Sequence, residues 1–296
     1  MDLKQYLVEK KKIVDRALDR YLPEGAGPAA DLVKAMRYSL FAGGKRLRPI
    51  LCMASAEAVG GHGASVLPAA CALELIHTYS LIHDDLPAMD DDDMRRGQPT
   101  SHKVFGEALA LLAGDGLLTE AFRLICSEEL LKAIPAESVV KVVSLVAEAA
   151  GYKGMVAGQV ADIQAEGRPA DKALVDFIHT HKTAALITAA VVCGGIVGGG
   201  GESQIAVLRS YGRKVGLAFQ ISDDLLDVEG DSEAMGKTTG SDIRKGKATY
   251  PALLGISRSK EIQKGLVEEA IASLDIFDER ADPLREIARY IIERKK

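Results

Sequence analysis

One stretch of the sequence, residues 71–100, most constrains what this chain can fold into. It begins as an apolar run with helical spacing and ends in six aspartates followed by two arginines. A step of seven residues returns to one helix face, so His77 and Asp84 share a side. Pro87 interrupts the helical hydrogen-bond ladder, which lets the chain turn and bring Asp90 back towards Asp84. The stretch therefore predicts a buried helix that carries a cluster of carboxylates at its end.

The rest of the chain repeats the helical pattern and shows almost no strand pattern. At 296 residues and 47% hydrophobic it can bury a large core, and no shift in composition marks a boundary. We therefore expect one all-helical domain over residues 1–296, with residues 194–201 as a flexible connection. Further helices are predicted from residue 171 and from residue 250, and the other predicted helices are 2–21, 29–42, 49–59, 64–85, 102–113, 116–132, 137–151, 152–163, 203–228, 260–274 and 282–294.

Charge and cysteine usage exclude several classes of protein. The net charge of −5 gives no cationic field to attract nucleic acid or an anionic membrane. The N-terminus lacks an apolar signal core, and we see no run near the roughly 18 uncharged residues of a membrane span. We therefore expect a cytoplasmic protein with no nucleic-acid partner and no stable membrane association. The cysteines lack CxxC spacing and are interpreted as reduced core residues; they are Cys52, Cys71, Cys126 and Cys193.

A second acidic site lies in a later helix, where Gln220, Asp223 and Asp227 fall on one helical stripe beside Asp224. Its neighbours are aliphatic, and an ionised carboxylate in such surroundings costs several kcal/mol without a cation or base. A buried salt-bridge network is one explanation, just as a solvated face is one for the first cluster. Two such sites on different helices favour a shared metal cluster. Oxygen ligands of this kind favour magnesium or calcium.

Cations that could grip phosphate are spread along the chain. Each alone is more often a surface residue, but several stand beside glycine breaks and helix starts, where backbone N–H groups favour anions. His77 is either a core histidine or one that faces a pocket, and its place two turns before Asp84 favours the pocket. The segment 230–238 has the wrong spacing for a nucleotide-binding loop and follows no strand. The candidate cations are Lys45, Arg48, Arg95, Arg96, Lys182 and Lys237.

The chemistry that these residues support is limited by what the sequence lacks. No serine or cysteine nucleophile motif and no GxGxxG pattern occurs. What remains is metal, diphosphate and an apolar cavity. Metal ions that neutralise a diphosphate make it a leaving group, and in a dry cavity the resulting carbon cation survives until an alkene attacks it.

The two acidic motifs resemble the two aspartate-rich motifs of trans-isoprenyl diphosphate synthases. They read DDLPAMD at residues 84–90 and QISDDLLD at residues 220–227. The resemblance covers nearly the whole chain and is closest to bacterial farnesyl diphosphate synthases, also called geranyltranstransferases. Other segments that fit are GGKRLRP at 43–49, DDMRRG at 92–97, GMVAGQVAD at 154–162, HKT at 181–183 and YPALLG at 250–255.

The resemblance implies an all-α fold of the isoprenoid synthase type, an orthogonal helical bundle around a central cavity. It also implies a homodimer and three magnesium ions held between the two aspartate sites and an allylic diphosphate. By position, Asp84 and Asp90 would ligate two of these ions with support from Asp85. Asp223 would hold the third, with Asp227 nearby.

The resemblance also assigns the substrate-binding residues by position. The reaction it implies is ionisation of the allylic diphosphate, attack by the isopentenyl double bond and loss of a proton, with the departing diphosphate as base. Side chains that would hold the allylic diphosphate are Arg95, Lys182 and Lys237. Side chains that would line its reacting end, next to Lys182, are Thr183 and Gln220. Side chains that would hold isopentenyl diphosphate are Lys45, Arg48, His77 and Arg96.

Product length is predicted from Tyr79 and Ser80, which lie five and four residues before Asp84. They sit roughly 6 to 7.5 Å along the helix axis from the acidic end, where a growing tail would meet them. A tyrosine there would stop elongation early, unless it is an ordinary core residue. With the Leu-Pro pair of the first motif, this resembles enzymes of fifteen-carbon products. We therefore expect condensation of isopentenyl diphosphate with dimethylallyl and geranyl diphosphate to (2E,6E)-farnesyl diphosphate.

Other functions remain as alternatives. A geranylgeranyl diphosphate synthase would differ only in the size of its product. A terpene cyclase would need no second diphosphate site, and Lys45, Arg48 and Arg96 argue against it. A non-catalytic partner subunit could dispense with one acidic site, yet both are intact. A calcium-binding protein would need a loop of spaced ligands that the sequence lacks.

Overall fold

The computed structural model describes residues 1–169, 171–229 and 246–293, and most of them are helical. The helices, numbered here in chain order, are α1 (Leu3–Tyr21), α2 (Ala30–Leu40), α3 (Leu47–Ala58), α4 (Leu67–Asp84), α5 (Ser101–Phe105), α6 (Glu107–Ile125), α7 (Glu128–Ala133), α8 (Ala136–Ala150), α9 (Met155–Ala165), α10 (Lys172–Ile178), α11 (Ala185–Val197), α12 (Glu202–Glu229), α13 (Tyr250–Leu254), α14 (Ile256–Ser273) and α15 (Asp282–Glu293).

Shorter elements connect these helices. A π-helical turn, His179–Ala184, joins α10 to α11 without a break. Two antiparallel strands, β1 (Met94–Arg95) and β2 (Gln98–Pro99), form a small hairpin after the first acidic motif. Single 3-10 turns lie at Gly27–Ala29, Leu274–Ile276 and Glu279–Ala281. The predicted all-helical class is confirmed.

The helix α4 is the centre of the bundle. Twelve of its 18 residues are buried, and it packs against α6, α3, α11 and α1. A helix that is apolar on nearly every side must be surrounded by other helices. The buried helix predicted from the first acidic stretch is therefore confirmed, and its C-terminal end delivers Asp84 and Asp85 to the cavity side.

Two predicted breaks in the helical pattern were wrong in whole or in part. The expected break between residues 113 and 116 is absent, since α6 continues through Gly114 and Gly116 and the chain turns earlier at Gly106, which has φ +83°. A Cβ on Gly114 would lie 2.1 Å from His83 Nε2, and one on Gly116 would lie 3.1 Å from Met36 Sδ. Both glycines therefore serve close helix packing.

The expected flexible connection 194–201 was also partly wrong, because α11 continues to Val197. A Cβ on Gly194 would lie 2.0 Å from the carbonyl oxygen of Cys52 on α3. Gly194 therefore allows two helices to touch, and the turn begins only at Gly198.

One described run, Lys172–Val197, is long and apolar enough by composition to cross a membrane, contrary to the expectation that no run approaches this length. Its most apolar window is 72% buried inside the bundle. The apolar character of this run is thus accounted for by helix packing.

Candidate active site

The first acidic motif turns back on itself at the end of α4. The Asp90 N–H donates to the carbonyl oxygen of Asp84 at 2.8 Å, which confirms that the chain folds back after the proline. Burial raises the pKa of the Asp84 carboxyl to about 6; Lys182 and Arg95 oppose this shift, while Asp90 and Asp85 add to it. Asp84 is therefore crowded by other carboxylates, and the nearby protein cations offset this crowding and its burial only in part.

Asp85, which is predicted to support the metal ligands, is paired with an arginine in the structure. Its two carboxylate oxygens accept from Arg95 Nε at 2.7 and 2.8 Å, and it is 3% exposed. Arg95 Nη2 also lies 3.7 Å from Asp92. The structure thus pairs Asp85 with Arg95 and fixes that guanidinium at the edge of the cavity.

Backbone geometry brings the GGKRLRP loop under Arg96. The Arg96 Nη1 group donates to the Gly43 carbonyl oxygen at 2.6 Å. Gly44 has φ +118°, and a Cβ there would lie 2.8 Å from Arg96 Nη1. Only glycine can occupy this position without displacing the arginine. The loop therefore contacts the Arg96 guanidinium through Gly43 and Gly44, and Lys45 follows as an exposed side chain.

Arg48 and His77 complete this cationic cluster. Burial lowers the pKa of Arg48 to about 10; Glu74 and Asp223 oppose this, and Arg96 adds to it. Arg48 Nε is buried and has no hydrogen-bond partner among the described residues. Burial, followed by Arg48 and Arg96, keeps the pKa of His77 well below its ordinary value, so this imidazole is neutral. Three of the four residues predicted to hold isopentenyl diphosphate, Arg48, His77 and Arg96, therefore lie close enough to act on one another, while Lys45 is exposed.

The π-helical turn carries Lys182 and Thr183 between the two acidic sites. Lys182 Nζ donates to Asp162 Oδ2 of α9 at 2.5 Å, and Lys182 also acts on Asp84 electrostatically. A Cβ on Gly158 would lie 2.1 Å from the Lys182 backbone nitrogen, so α9 can approach only through this glycine. Inserted π turns are frequent at functional sites. Here the turn sets the direction of two predicted site residues.

The second acidic motif meets the same turn through α12. Thr183 Oγ1 donates to Gln220 Oε1 at 2.6 Å, and Gln220 Nε2 donates to Asp224 Oδ1 at 3.0 Å. Asp224 Oδ2 accepts from the Tyr250 N–H at 3.1 Å and lies 3.2 Å from His179 Nε2. Burial lowers the pKa of His179 to about 4, so its ring is neutral. Both acidic helix ends thus lie beside one short segment.

Lys247 is a site residue that sequence reasoning missed. Its Nζ lies 3.6 Å from Asp90 Oδ1 and 3.9 Å from Asp162 Oδ2, so it joins the first acidic motif to α9. Three basic residues stand close together in IRKGK, and nothing in their spacing distinguishes this lysine. Asp162 was part of a recognised motif but received no role. The roles of His179 and Asp224 were missed as well.

A small cavity of about 80 Å³ lies between these groups. Lys237, the remaining predicted ligand of the allylic diphosphate, lies outside the described residues. Asp223 and Asp227 are half-buried on α12. The side chains that line the cavity include Asp162, His179, Lys182, Thr183, Gln220, Asp224 and Lys247.

The donor set suits magnesium. Within residues 1–169, 171–229 and 246–293, no group of three or more acidic, histidine or cysteine side chains is placed to hold a metal ion by itself. Magnesium usually takes one or two carboxylates and completes its shell with water and substrate phosphates. The buried carboxyl of Asp84, crowded by Asp90, is the kind of ligand that a divalent cation would stabilise.

The residues predicted to set product length lie on the buried side of α4. Tyr79 is 7% exposed and packs edge-on against His83, with ring centroids 5.6 Å apart. Burial and the charge of Asp84 raise the pKa of Tyr79 to about 12. The Ser80 hydroxyl donates to the His77 carbonyl oxygen at 2.9 Å. Tyr79 is therefore the bulky member of the pair and Ser80 is tied to its own helix.

Comparisons with known proteins agree with this arrangement. Residues 29–287 match the polyprenyl synthetase family. The chain is 50% identical over 296 residues to the chloroplastic geranylgeranyl pyrophosphate synthase 12 of Arabidopsis thaliana, covering 98% of this chain and 81% of that protein. It is 47% identical over 295 residues to a geranylgeranyl diphosphate synthase of Cyanophora paradoxa, covering 99% and 97% of the two chains.

A solved structure shows the same fold. An FPP/GFPP synthase from Zymomonas mobilis superposes with a TM-score of 0.88 at 38% identity, over 98% of this chain and 99% of that one. The chain belongs to the polyprenyl synthetase family, the trans-isoprenyl diphosphate synthases. It is accordingly a prenyltransferase of isoprenoid biosynthesis.

Proposed function

We propose that this prenyltransferase is a magnesium-dependent, chain-elongating enzyme that condenses isopentenyl diphosphate with allylic diphosphates. The observation that carries this proposal is the pairing of two incompletely neutralised clusters. The carboxyl of Asp84 has a raised pKa, whereas Arg48 and His77 have lowered ones. A magnesium diphosphate would stabilise the first cluster, and a second diphosphate would stabilise the other.

Asp84, Asp90 and Asp223 would hold the metal, with three magnesium ions expected for each site. Magnesium, when bound, supplies charge that makes the allylic diphosphate a leaving group. Lys182 contributes a positive charge next to these carboxylates and is itself held by Asp162. Thr183 lines the cavity where positive charge on carbon would develop.

The second diphosphate would lie over Arg48, Arg96 and His77. Arg48 Nε offers a buried N–H that no described group accepts, and an isopentenyl diphosphate oxygen would satisfy it. The neutral His77 would add a hydrogen bond without a charge. This site is what a terpene cyclase would not require, so the geometry favours chain elongation.

The preferred product is geranylgeranyl diphosphate, on the strength of the relatives. The two relatives at 47% and 50% identity are both geranylgeranyl synthases by name. A second candidate is the farnesyl diphosphate expected from Tyr79, a bulky side chain that is buried on α4 five residues before Asp84 and would stop a growing tail there. The similar structure from Zymomonas mobilis, an FPP/GFPP synthase by name, supports this second candidate.

One experiment separates the two products. Purified protein is incubated with magnesium, isopentenyl diphosphate and either dimethylallyl or geranyl diphosphate, and the dephosphorylated products are sized by chromatography. A twenty-carbon product that is unchanged in Tyr79→Ala supports the first candidate, with the tail running past this side chain. A fifteen-carbon product that lengthens in Tyr79→Ala supports the second. Absence of any elongated product with either starter would refute the proposed function.

We also propose that the chain forms a homodimer. One face of α9 and the turn before it carries exposed apolar side chains at helical spacing, which single chains rarely leave in water. In solution we expect twice the chain mass by light scattering, and a monomer for Val160→Glu. The stripe consists of Tyr152, Val156, Val160 and Ile163, which are 78%, 44%, 48% and 42% exposed.

A further inference from the structure

The hydrogen bonds that link Asp224 to Thr183 have a fixed direction. Both carboxyl oxygens of Asp224 accept, Oδ2 from the Tyr250 N–H and Oδ1 from Gln220, so the Gln220 side chain turns its NH2 group towards Asp224. The carbonyl oxygen of Gln220 then faces Thr183, which must donate its hydroxyl proton to it at 2.6 Å. Because the proton is committed to Gln220, the Thr183 oxygen presents only lone pairs to the cavity that it lines.

Asp224 is itself held in place from its other side. The carboxyl group is 2% exposed. Its Oδ2 atom accepts from the Tyr250 backbone N–H at 3.1 Å and lies 3.2 Å from His179 Nε2. The His179 ring stacks on the Tyr250 ring, with centroids 5.1 Å apart. This position therefore demands an acceptor atom, whatever residue occupies position 224.

We propose that Asp224 is a positioning residue whose carboxylate sets the polarity of the Gln220 amide and thereby keeps the lone pairs of Thr183 turned towards the reacting carbon. The inference rests on the proposed function, in which positive charge develops on that carbon as diphosphate departs. A fixed dipole aimed at developing charge lowers the barrier without reorganising during the reaction. Asp224 acts through Gln220, so its substitution changes turnover while leaving diphosphate binding in place.

The first test is Asp224→Asn. It reverses the donor and acceptor direction of the hydrogen bonds from Asp224 to Thr183 while the side chain keeps almost the same shape. The Tyr250 N–H requires the asparagine oxygen on its side, so the new NH2 group faces Gln220. Gln220 must then reverse its amide and donate to Thr183, whose proton turns into the cavity. We expect kcat to fall roughly 10- to 100-fold and KM for both substrates to stay within about twofold.

The second test restores the original direction of the Thr183 hydrogen bond with a different pair of side chains. In Asp224→Asn combined with Gln220→Glu, the new carboxylate accepts from both the asparagine NH2 and the Thr183 hydroxyl. We expect this double variant to regain at least about fivefold in kcat over Asp224→Asn. Gln220→Glu alone sets two carboxylates against each other and should be the least active of the three. The proposal is overturned if the double variant is no faster than Asp224→Asn, or if Asp224→Asn retains the kcat of the unchanged chain.

A matched control variant tests whether a structural disturbance around Tyr250 could explain the loss of kcat. Asp176→Asn makes the same chemical change on α10, where Asp176 accepts from the Tyr250 hydroxyl. It is expected to keep the kcat of the unchanged chain, and thermal unfolding of every variant is measured alongside. A loss of kcat in Asp176→Asn equal to that in Asp224→Asn would show that disturbance around Tyr250, rather than amide direction, is responsible.

A binding measurement separates this inference from the proposed function. The probe is an allylic diphosphate analogue with an ammonium nitrogen at the reacting carbon, compared by calorimetry with its uncharged carbon counterpart. The unchanged chain should prefer the ammonium compound, and Asp224→Asn should lose about tenfold of that preference. If the unchanged chain shows this preference but elongates no substrate, only the proposed function fails. If Asp224→Asn keeps the full preference, the inference about Thr183 fails.

Discussion

Two arginines only two residues apart, Arg46 and Arg48, have opposite surroundings. Arg46 is 3% exposed and donates to Asp15 at 2.7 Å, to Glu74 at 2.9 Å and to the Leu40 carbonyl oxygen at 2.7 Å. Burial alone would lower the pKa of Arg46, but Glu74 and Asp15 raise it above its ordinary value. Arg48 has a buried Nε that nothing in the described part of the chain accepts, and burial lowers its pKa.

This difference separates a charge that supports the fold from a charge that is placed for a ligand. A buried charge is stable when other protein groups satisfy it, and is costly when they do not. The acids divide in the same way, because Glu74 is paired with Arg46 while the Asp84 carboxyl has a raised pKa beside other carboxyls. Incomplete compensation, rather than burial or residue type, distinguishes Arg48 and Asp84 from Arg46 and Glu74.

The largest effect is expected from breaking the satisfied network. Glu74→Ala leaves the buried Arg46 guanidinium without its Glu74 partner. It should therefore lower the free energy of unfolding by about 3–5 kcal/mol, measured by urea denaturation. Replacing both partners, as Glu74→Leu with Arg46→Met, should recover most of that loss because no buried charge remains. A loss below about 1 kcal/mol in Glu74→Ala would mean that the Arg46 network is not structural.

Removing an incompletely neutralised carboxylate should lower activity and spare stability, the reverse of what is expected for Glu74→Ala. Asp84→Asn is expected to lower kcat about 100-fold, since a metal ligand is lost, while the free energy of unfolding without magnesium stays equal or rises. Asp93→Asn is the matched control, because Asp93 is an exposed acid of the same run and pairs with Lys103 at 2.7 Å. A metal-free Asp84→Asn protein that is clearly less stable would place Asp84 with Glu74 as a structural acid.

The arginine pair offers a direct comparison by the same substitution. Arg48→Met should raise the KM for isopentenyl diphosphate about tenfold and leave the free energy of unfolding unchanged within about 0.5 kcal/mol. Arg46→Met should instead lower stability, because Glu74 loses its partner. Steady-state kinetics and urea denaturation of the two variants test the distinction. Equal stability losses in both would contradict it.

Much of the site follows from the sequence, but this distinction does not. Helical spacing and Pro87 are enough to predict a buried helix that ends in folded-back acids, since both depend on local geometry. The segment GGKRLRP indicates a phosphate loop, yet its letters do not show which arginine is satisfied internally. That depends on Asp15 and Glu74, which belong to helices distant in the chain.

Predictions from the sequence were also wrong or incomplete at positions whose role depends on contacts between distant parts of the chain. Gly114 and Gly194 lie against side chains or backbone of other helices, whereas the sequence predicted a break between helices at residues 113–116 and a flexible connection at residues 194–201. Lys247 sits among other basic residues and was identified only by its distances to Asp90 and Asp162. The Asp224 network joins three separate parts of the chain, namely α12, the π-helical turn and Tyr250, and no local spacing predicts it.

The last prediction concerns the pH dependence of stability without magnesium. The pKa of Asp84 rises from 3.8, its ordinary value, to about 6 in the folded chain, so the folded state binds this proton more tightly than the unfolded state does. The resulting stability is fully present below about pH 3.8 and is lost as pH rises through about 6.

The variant Asp84→Asn removes the titration of this carboxyl. The free energy of unfolding of the unchanged chain, compared with that of Asp84→Asn, should therefore decline between about pH 4 and 6 by at most about 1.4 kcal/mol per pH unit. Saturating magnesium should suppress this decline, because the metal favours the ionised carboxylate. Parallel pH profiles for the two proteins would place Asp84 among the compensated acids, together with Glu74.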